Sequence, residues 1–275
     1  MKLGLDVSQH QLTWNEIVDR TRYAEDAGFD GAWVFDHFTA LYGDPAGPCL
    51  EGWTLLAGLA AITTRIRLGT LVTGITYRHP SMLATEAVTV DHISGGRLEL
   101  AVGAAWHEPE HRRLGIDFPR AGDRIERLEE AIGVIRALMT QDDPRFEGTH
   151  YRLEGGYSPK PVQRPHPPIW VGGHGPRMLA LVGRTADVWH TFGNPDDLKR
   201  RSGIVDDAAR AAGRDPSSIA RSTALSLSQT MDEIRHDAAA KAEAGFTYLT
   251  VGWPSEGKPR LDEFVETAMS EIAAL

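Results

Sequence analysis

Residues 2–37 have the sequence KLGLDVSQHQLTWNEIVDRTRYAEDAGFDGAWVFDH, and they contain the pattern that the rest of the chain repeats. Its first six residues have the apolar pattern of a short strand. Thr13 and Glu16 have the spacing of a capping box, which opens a helix with one apolar face. Gly28 suits the end of that helix, and the nearly all-apolar residues 31–37 predict a strand buried on both faces. The stretch therefore predicts a β–α–β unit.

The same alternation continues along the chain and sets the fold class. Further strands are predicted at residues 66–73, 97–103, 169–172, 187–192, 221–228 and 248–253, with helical patterns between them. Eight strand–helix units in 275 residues predict an α/β fold, the (β/α)8 TIM barrel, as a single domain over residues 1–275. An open doubly wound sheet is the alternative, but Asp6-Val7-Ser8-Gln9 is not the glycine-rich turn that such a sheet needs after its first strand.

One segment interrupts this rhythm. Residues 142–168 contain six of the sixteen prolines together with three glycines. We expect an insertion here, between the fourth helix and the fifth strand, with a small hairpin at residues 146–153. Loops of this length are often functional.

The composition excludes several classes of protein. The formal net charge of -9 disfavours nucleic acid as a partner. No apolar run approaches the roughly 18 residues that a membrane-spanning helix needs. The single cysteine, Cys49, cannot form an internal disulfide, and the N-terminus has no apolar segment of signal-peptide length. We therefore expect a cytoplasmic protein that acts on a small molecule.

Candidate functional residues follow the predicted strands, because barrel enzymes carry their active sites at the carboxyl ends of the strands. The sharpest feature is Gly172-Gly173-His174-Gly175-Pro176-Arg177. Its glycines allow close approach of a ligand, Pro176 suits a first helical position, and a helix N-terminus beside Arg177 favours phosphate. The alternative is a plain turn between a strand and a helix.

Other candidates have weaker signals. His37 can transfer a proton near neutral pH with the neighbouring Asp36 orienting it, although a capping aspartate beside a packed histidine is as consistent with the pattern. Trp106 can wall a planar ligand or be an interface aromatic. His190 and Trp253 follow later strands, where packing at the rim of the barrel is common.

A metal site is the least favoured reading. A metal-dependent hydrolase on this fold needs a His-x-His pair after the first strand, where this chain has Asp6-Val7-Ser8. His107 and His111 have a helical i, i+4 spacing, but a pair without a third ligand is a weak metal motif. We therefore expect no metal.

Several runs together resemble the bacterial luciferase-like oxidoreductases. They are GFDGAWVFDH at residues 28–37, RLGTLV at 67–72, DHISGGRL at 91–98, VGAAW at 102–106, PPIWVGG at 167–173 and ADVW at 186–189. The similarity covers essentially the whole chain and is weakest at the last two strands. Their overall pattern looks most like the subgroup that depends on the deazaflavin coenzyme F-420 (F420).

The resemblance implies a TIM barrel that binds F420 or, alternatively, FMN. The coenzyme ring would lie over the end of the third strand, often beside a cis peptide bond that does not involve proline. His37 would be the catalytic residue that handles a proton, and Trp106, His190 and Trp253 would shape the substrate pocket. The implied coenzyme contacts are Asp36, Thr70, Leu71, Val72, Thr73, Gly103, Ala104, Ala105, Trp106, Gly172, Gly173, His174, Gly175, Pro176 and Arg177. Ala105 departs from the pattern, because related chains often have glycine there.

Three functions are therefore weighed. The leading one is hydride transfer between F420 and an organic substrate by a homodimeric enzyme. The closest rival is an FMN-dependent monooxygenase that uses O₂. A coenzyme-binding protein without catalytic activity is the third.

Overall fold

The computed structural model describes residues 1–156 and 159–275, which form two compact units. We call them the terminal unit (Met1–Ser8, Thr13–Val34 and Gly173–Leu275) and the central unit (Gln9–Leu12 and Phe35–Gly172). The predicted (β/α)8 barrel class is confirmed: apart from a small hairpin at residues 145–154, the described strands are parallel, and helices connect most of them. The expectation of a single domain stays a prediction.

The elements have the following bounds. The strands are β1 (Lys2–Asp6), β2 (Gly31–Val34), β3 (Arg67–Thr70), β4 (Thr73–Gly74), β5 (Leu98–Gly103), β6 (Arg145–Glu147), β7 (Arg152–Glu154), β8 (Ile169–Gly172), β9 (Val188–Thr191), β10 (Ala220–Leu225) and β11 (Tyr248–Gly252). The α-helices are α1 (Trp14–Asp26), α2 (Gly52–Ile62), α3 (Pro80–Ser94), α4 (Glu108–Leu114), α5 (Ala121–Thr140), α6 (Pro176–Thr185), α7 (Pro195–Ala211), α8 (Met231–Glu243), α9 (Lys258–Phe264) and α10 (Ser270–Ala273). A π-helical turn, Val265–Met269, joins the last two helices, and a short 3-10 helix spans Pro216–Ser218.

The terminal unit contains a five-stranded parallel sheet. Its strand order is β2-β1-β11-β10-β9, and Gly4 lies in register with both Gly31 and Thr250. The predicted capping box of Thr13 and Glu16 is present at the start of α1. Most apolar side chains of the strands are buried, as expected for a parallel sheet covered on both faces.

The central unit contains the other parallel strands. β3 and β4 both pair with β5, which pairs in turn with β8. The predicted hairpin is confirmed as the antiparallel pair β6 and β7. Tyr157 and Ser158, within the expected insertion, lie outside the described residues.

Two predicted strands differ from the observed ones. The strand expected at residues 31–37 ends at Val34, because the side chain of Gln9 binds both the N–H and the C=O of Phe35. The strand expected at residues 66–73 is interrupted: the peptide bond between Leu71 and Val72 is cis, and pairing with β5 resumes at Thr73. Both changes position the residues that follow the strands.

Within the described ranges, no helix combines the length and the apolar character that crossing a membrane requires.

Candidate active site

His37 and Glu110 form a buried pair in the central unit. His37 lies in the loop after β2, and Glu110 lies in the first turn of α4. The Nδ1 atom of His37 is 2.9 Å from Oε2 of Glu110, and the glutamate side chain is fully buried. The Nε2 atom of His37 has no hydrogen-bond partner among the residues that the structure describes. The pair therefore leaves one ring nitrogen available to a ligand.

Glu110 is ionised because its neighbours donate hydrogen bonds to it. Burial alone would raise the pKa of Glu110, but hydrogen bonds from His37, Tyr77 and Thr39 hold that pKa far below its usual value. The Tyr77 hydroxyl donates to Oε2 of Glu110. Burial and this carboxylate raise the pKa of Tyr77, so the phenol stays protonated. The pair consequently carries a fixed negative charge beside the imidazole.

Asp36 has a different partner from the one expected. The sequence suggested that it orients His37. Instead, its two carboxylate oxygens lie 2.6 and 3.0 Å from the Arg78 guanidinium, and one of them accepts the N–H of Gly74 at 3.2 Å. A bidentate pair of this kind fixes both groups. The expectation that Asp36 orients His37 is thus wrong, and Glu110 takes that place.

Aromatic rings surround His37. Trp106 and His107 contact it edge-on, with ring centroids 5.8 and 5.9 Å away, and the His10 ring lies at 6.4 Å. Burial lowers the pKa of His107 and lowers that of His10 to about 4, so both rings are neutral near pH 7. Trp106 is two-thirds exposed and presents a flat apolar surface to solvent.

β5 and β8 end in glycines, Gly103 and Gly172, where they approach the Val72 side chain. A Cβ atom on Gly103 would lie 2.7 Å from a methyl of Val72, and one on Gly172 would lie 3.1 Å from the other methyl. Leu71 and Val72 are partly exposed, whereas the hydroxyls of Thr70 and Thr73 are buried and hydrogen-bonded to each other at 2.5 Å. Leu71 and Val72 therefore form a shallow, partly exposed surface, which we call the platform, with the buried Thr70 and Thr73 behind it. A planar ring can lie on such a surface.

Ala104 and Ala105 adjoin this platform and are partly exposed. The carbonyl oxygen of Ala104 accepts a hydrogen bond from Arg124 at 2.9 Å. Ala105 has a φ of 59°, in the left-handed region that favours glycine. This conformation explains why a glycine in related chains would suit the position.

The loop at residues 172–177 has the predicted helix start. Gly175 caps α6 without a side-chain hydrogen bond, and Pro176 is its first residue. Within the terminal unit, Gly173 donates to the carbonyl of His190 at 3.1 Å and accepts from the Trp189 indole at 2.9 Å. His174 and Arg177 are exposed. The loop is therefore held in place at Gly173, while the His174 and Arg177 side chains face solvent.

His190 and Trp253 also belong to the terminal unit. His190 is buried and bonded through Nδ1 to Ser222 at 3.0 Å, whereas its buried Nε2 has no partner among the described residues. Burial lowers the pKa of His190 to about 4. Trp253 packs against Tyr23, and the Arg20 guanidinium lies 4.4 Å from the centre of its ring. A substrate contact by either residue stays a prediction.

Metal binding finds no support in the described ranges. They contain no group of three or more His, Cys, Asp or Glu side chains that could hold an ion. Of the predicted pair, His111 has both nitrogens engaged, with Thr76 at 2.6 Å and the carbonyl of His107 at 2.9 Å.

Glu110, Tyr77 and Arg78 were not identified from the sequence. Glu110 is the third residue of α4, where a glutamate is common because it favours a helix N-terminus. That ordinary role conceals the buried one. The available signal was a charged residue close after Trp106 and His107, but it does not identify a partner that lies 73 positions away.

A family model described as luciferase-like monooxygenase matches residues 1–270. The chain belongs to this family. The resemblance found in the sequence is thereby confirmed, as is the enzyme class, oxidoreductase. The match covers both units.

The chain is also similar to individual proteins and solved structures. An uncharacterised protein of Mycobacterium tuberculosis is 31% identical over 226 residues, which are 82% of this chain and 77% of the relative. An F420-dependent glucose-6-phosphate dehydrogenase of Microbacterium testaceum is 31% identical over 219 residues, 78% of this chain and 64% of that protein. Among solved structures, an F420-dependent secondary alcohol dehydrogenase has a TM-score of 0.87 at 20% identity and covers 99% of this chain and 98% of its own. This last likeness concerns the fold.

Proposed function

We propose that the chain is an F420-dependent oxidoreductase that moves a hydride between the coenzyme and an organic substrate. The observation that carries the proposal is the histidine at the end of β2, which is held by a buried anion and keeps one nitrogen free. The F420-dependent dehydrogenase relative supports the choice of coenzyme. When bound, F420 supplies a ring carbon that accepts or donates a hydride.

The chain's own part in the reaction is to move the proton. For an alcohol substrate, the hydroxyl O–H bond breaks and its proton goes to Nε2 of His37. The C–H bond on the carbon that bears this hydroxyl breaks, and the hydrogen leaves as a hydride with both electrons of the bond. The substrate thereby becomes a carbonyl compound. In the reverse direction, the protonated Nε2 returns the proton to the carbonyl oxygen. An imidazole nitrogen can both accept and return a proton, so His37 suits both directions.

The platform at Val72 fits a flat coenzyme ring. Because Gly103 and Gly172 have no Cβ atoms, the Val72 side chain packs directly against both strand ends. We propose that Leu71, Val72, Ala104, Ala105 and Trp106 contact the ring, with Thr70 and Thr73 supporting it from behind. A contact between Asp36 and the coenzyme stays a prediction. In the structure, the Asp36 carboxylate is bound to Arg78.

The loop at residues 172–177 fits a phosphate group. An α6 N-terminus that lacks a side-chain cap has N–H groups to offer an anion, and Arg177 adds a positive charge. We propose that the coenzyme phosphate binds there. His190, Trp253 and Trp106 stay the proposed lining of the substrate pocket, and a cytoplasmic homodimer stays the expected form.

An FMN-dependent monooxygenase is the second candidate, because the family model carries the monooxygenase name. A catalytic assay distinguishes the monooxygenase from the F420-dependent oxidoreductase. Under anaerobic conditions, F420 would be mixed with the protein and a panel of secondary alcohols and sugar phosphates, and its fluorescence followed. We expect at least one compound to reduce it, and we expect His37→Asn to lower the rate by about 100-fold or more.

His236→Asn is the matched control, since His236 is exposed on α8. It is expected to keep the wild-type rate. Consumption of O₂ with reduced FMN, without reduction of F420 by any member of the panel, would assign the chain to the monooxygenase alternative. Reduction of F420 that His37→Asn leaves unchanged would remove His37 from the reaction.

A further inference from the structure

The Glu110 carboxylate binds much more than the His37 ring. Its Oε1 atom accepts the backbone N–H groups of Phe38 and Thr39, both at 2.8 Å, and the Thr39 hydroxyl at 3.0 Å. Its Oε2 atom contacts Nδ1 of His37 and accepts the Tyr77 hydroxyl. The carboxylate therefore holds both the imidazole and the backbone that directly follows it.

These contacts determine where the His37 proton lies. An ionised carboxylate has no proton to donate, so the short contact to Nδ1 is a hydrogen bond only if Nδ1 carries the hydrogen. In the neutral ring, Nε2 then has the lone pair. A neutral imidazole with its hydrogen on Nε2 would place two acceptors against each other.

We propose that Glu110 is a positioning residue that fixes His37 in the tautomer with hydrogen on Nδ1 and so presents the Nε2 lone pair to the substrate. The inference rests on the proposed function for its purpose, but the tautomer itself does not depend on any coenzyme or substrate. Glu110 acts through His37 and the backbone that follows it, and it touches no reacting atom.

The other groups that face His37 do not provide this control. The His10 and His107 rings are neutral near pH 7 because burial lowers their pKa values. Tyr77 and Trp106 contact the ring edge-on, and the Cys49 thiol lies 3.5 Å from the carbonyl of His37 rather than from its ring. The Asp36 carboxylate is paired with Arg78. Glu110 is thus the charged group among the described residues that contacts the imidazole.

The test is a long-range ¹H–¹⁵N correlation spectrum of the imidazole nitrogens, recorded on the full chain without coenzyme at mildly alkaline pH. A His37→Asn sample identifies the His37 signals among those of the eleven histidines. We expect the wild type to have its hydrogen on Nδ1. In Glu110→Gln, where a neutral amide replaces the anion, we expect the ratio of the two tautomers to fall by at least about tenfold.

Two variants separate this effect from general disturbance. Glu108→Gln removes an exposed carboxylate two residues earlier in α4, where its partner is Arg112, and is expected to leave the His37 signals unchanged. Tyr77→Phe removes one donor to Glu110 but keeps the anion, and is expected to preserve the Nδ1–H tautomer.

Several results would overturn the proposal. One is a wild-type spectrum with the hydrogen on Nε2, which decides the matter even if Glu110→Gln does not fold. Another is a folded Glu110→Gln protein with an unchanged tautomer ratio. Because the spectrum needs no ligand, the proposal can fail while F420-dependent turnover is observed, and it can hold while turnover is absent.

Discussion

At the scale of single residues, Ala105 has a backbone conformation that glycine adopts with less strain. Its φ of 59° brings the alanine Cβ close to the backbone in the left-handed region, at a cost of roughly 1–2 kcal/mol. Part of this cost is offset because glycine loses more backbone entropy on folding. Replacing Ala105 by glycine should therefore stabilise the folded chain slightly.

We expect Ala105→Gly to raise the free energy of unfolding by about 0.5–1 kcal/mol. Urea denaturation of the two proteins measures it. Ala104→Gly is the neighbouring control: Ala104 does not have a positive φ, so glycine there should be neutral or destabilising. A loss of stability in Ala105→Gly as large as in the control would contradict the strain argument.

Asp6 is a second residue in an unfavourable environment. It ends β1, in register with Trp33 and Gly252. Its Oδ1 atom is buried without a hydrogen-bond partner among the described residues, although the residue as a whole keeps some exposure. Burial raises the pKa of Asp6 from 3.8 to about 7. The folded chain thus keeps a proton that the unfolded chain releases.

The sign of the pH effect follows from this difference. Between about pH 4 and pH 7 the folded state binds more protons than the unfolded state, so stability falls as the pH rises. We expect Asp6→Asn to be more stable than the wild type by about 1–2 kcal/mol at pH 8, because solvent screening at a partly exposed site weakens the effect, and to show no gain at pH 4. Denaturation at both pH values measures this, with the exposed Asp117→Asn as control. An equal change at both pH values would refute the assignment.

At the scale of elements, the hairpin of β6 and β7 depends on one carboxylate of α5. Glu130 accepts the backbone N–H groups of Thr149 and His150, both at 2.8 Å, and of Tyr151 at 3.0 Å. These residues form the turn between the two strands. The side chain of one helix thereby orders the first half of the insertion.

We expect Glu130→Ala to destabilise this hairpin by about 1–3 kcal/mol, because three N–H groups lose a charged acceptor. Hydrogen exchange at Thr149, His150 and Tyr151 should accelerate by about tenfold or more, whereas the core strand β5 keeps its protection. Glu147→Ala, an exposed change within the hairpin itself, is the control. Unchanged exchange at all three amides would show that the turn holds without Glu130.

The N-terminus of α6 is the proposed binding site of the coenzyme phosphate. If an anion binds there, Arg177→Gln should weaken the affinity for F420 by about fivefold, and the loss should shrink at high ionic strength. Arg184→Gln removes the same charge from the last turn of the same helix and is expected to have no effect on affinity. Isothermal titration compares them. Equal effects of the two variants would indicate general electrostatic attraction instead of a site.

At the scale of the whole molecule, local rules predicted what depends on neighbouring residues. Both capping boxes, the proline starts of α3 and α6 and the order of the strands follow from patterns a few residues long. Contacts between distant positions were not predictable in this way. The choice of Glu110 over Asp36 as the partner of His37 depends on Arg78, which engages Asp36 from 42 positions away. The cis bond between Leu71 and Val72, which interrupts the strand after Thr70, was implied by the family resemblance and not by any local pattern.

The proposed function requires that the chain bind a deazaflavin coenzyme for hydride transfer. The most direct measurement is a fluorescence titration of the coenzyme-free protein with oxidised F420 and, in parallel, with FMN. We expect F420 to bind with a Kd of about 1 μM or tighter, and FMN to bind at least about tenfold more weakly. Tighter binding of FMN, or binding of neither coenzyme, would contradict it.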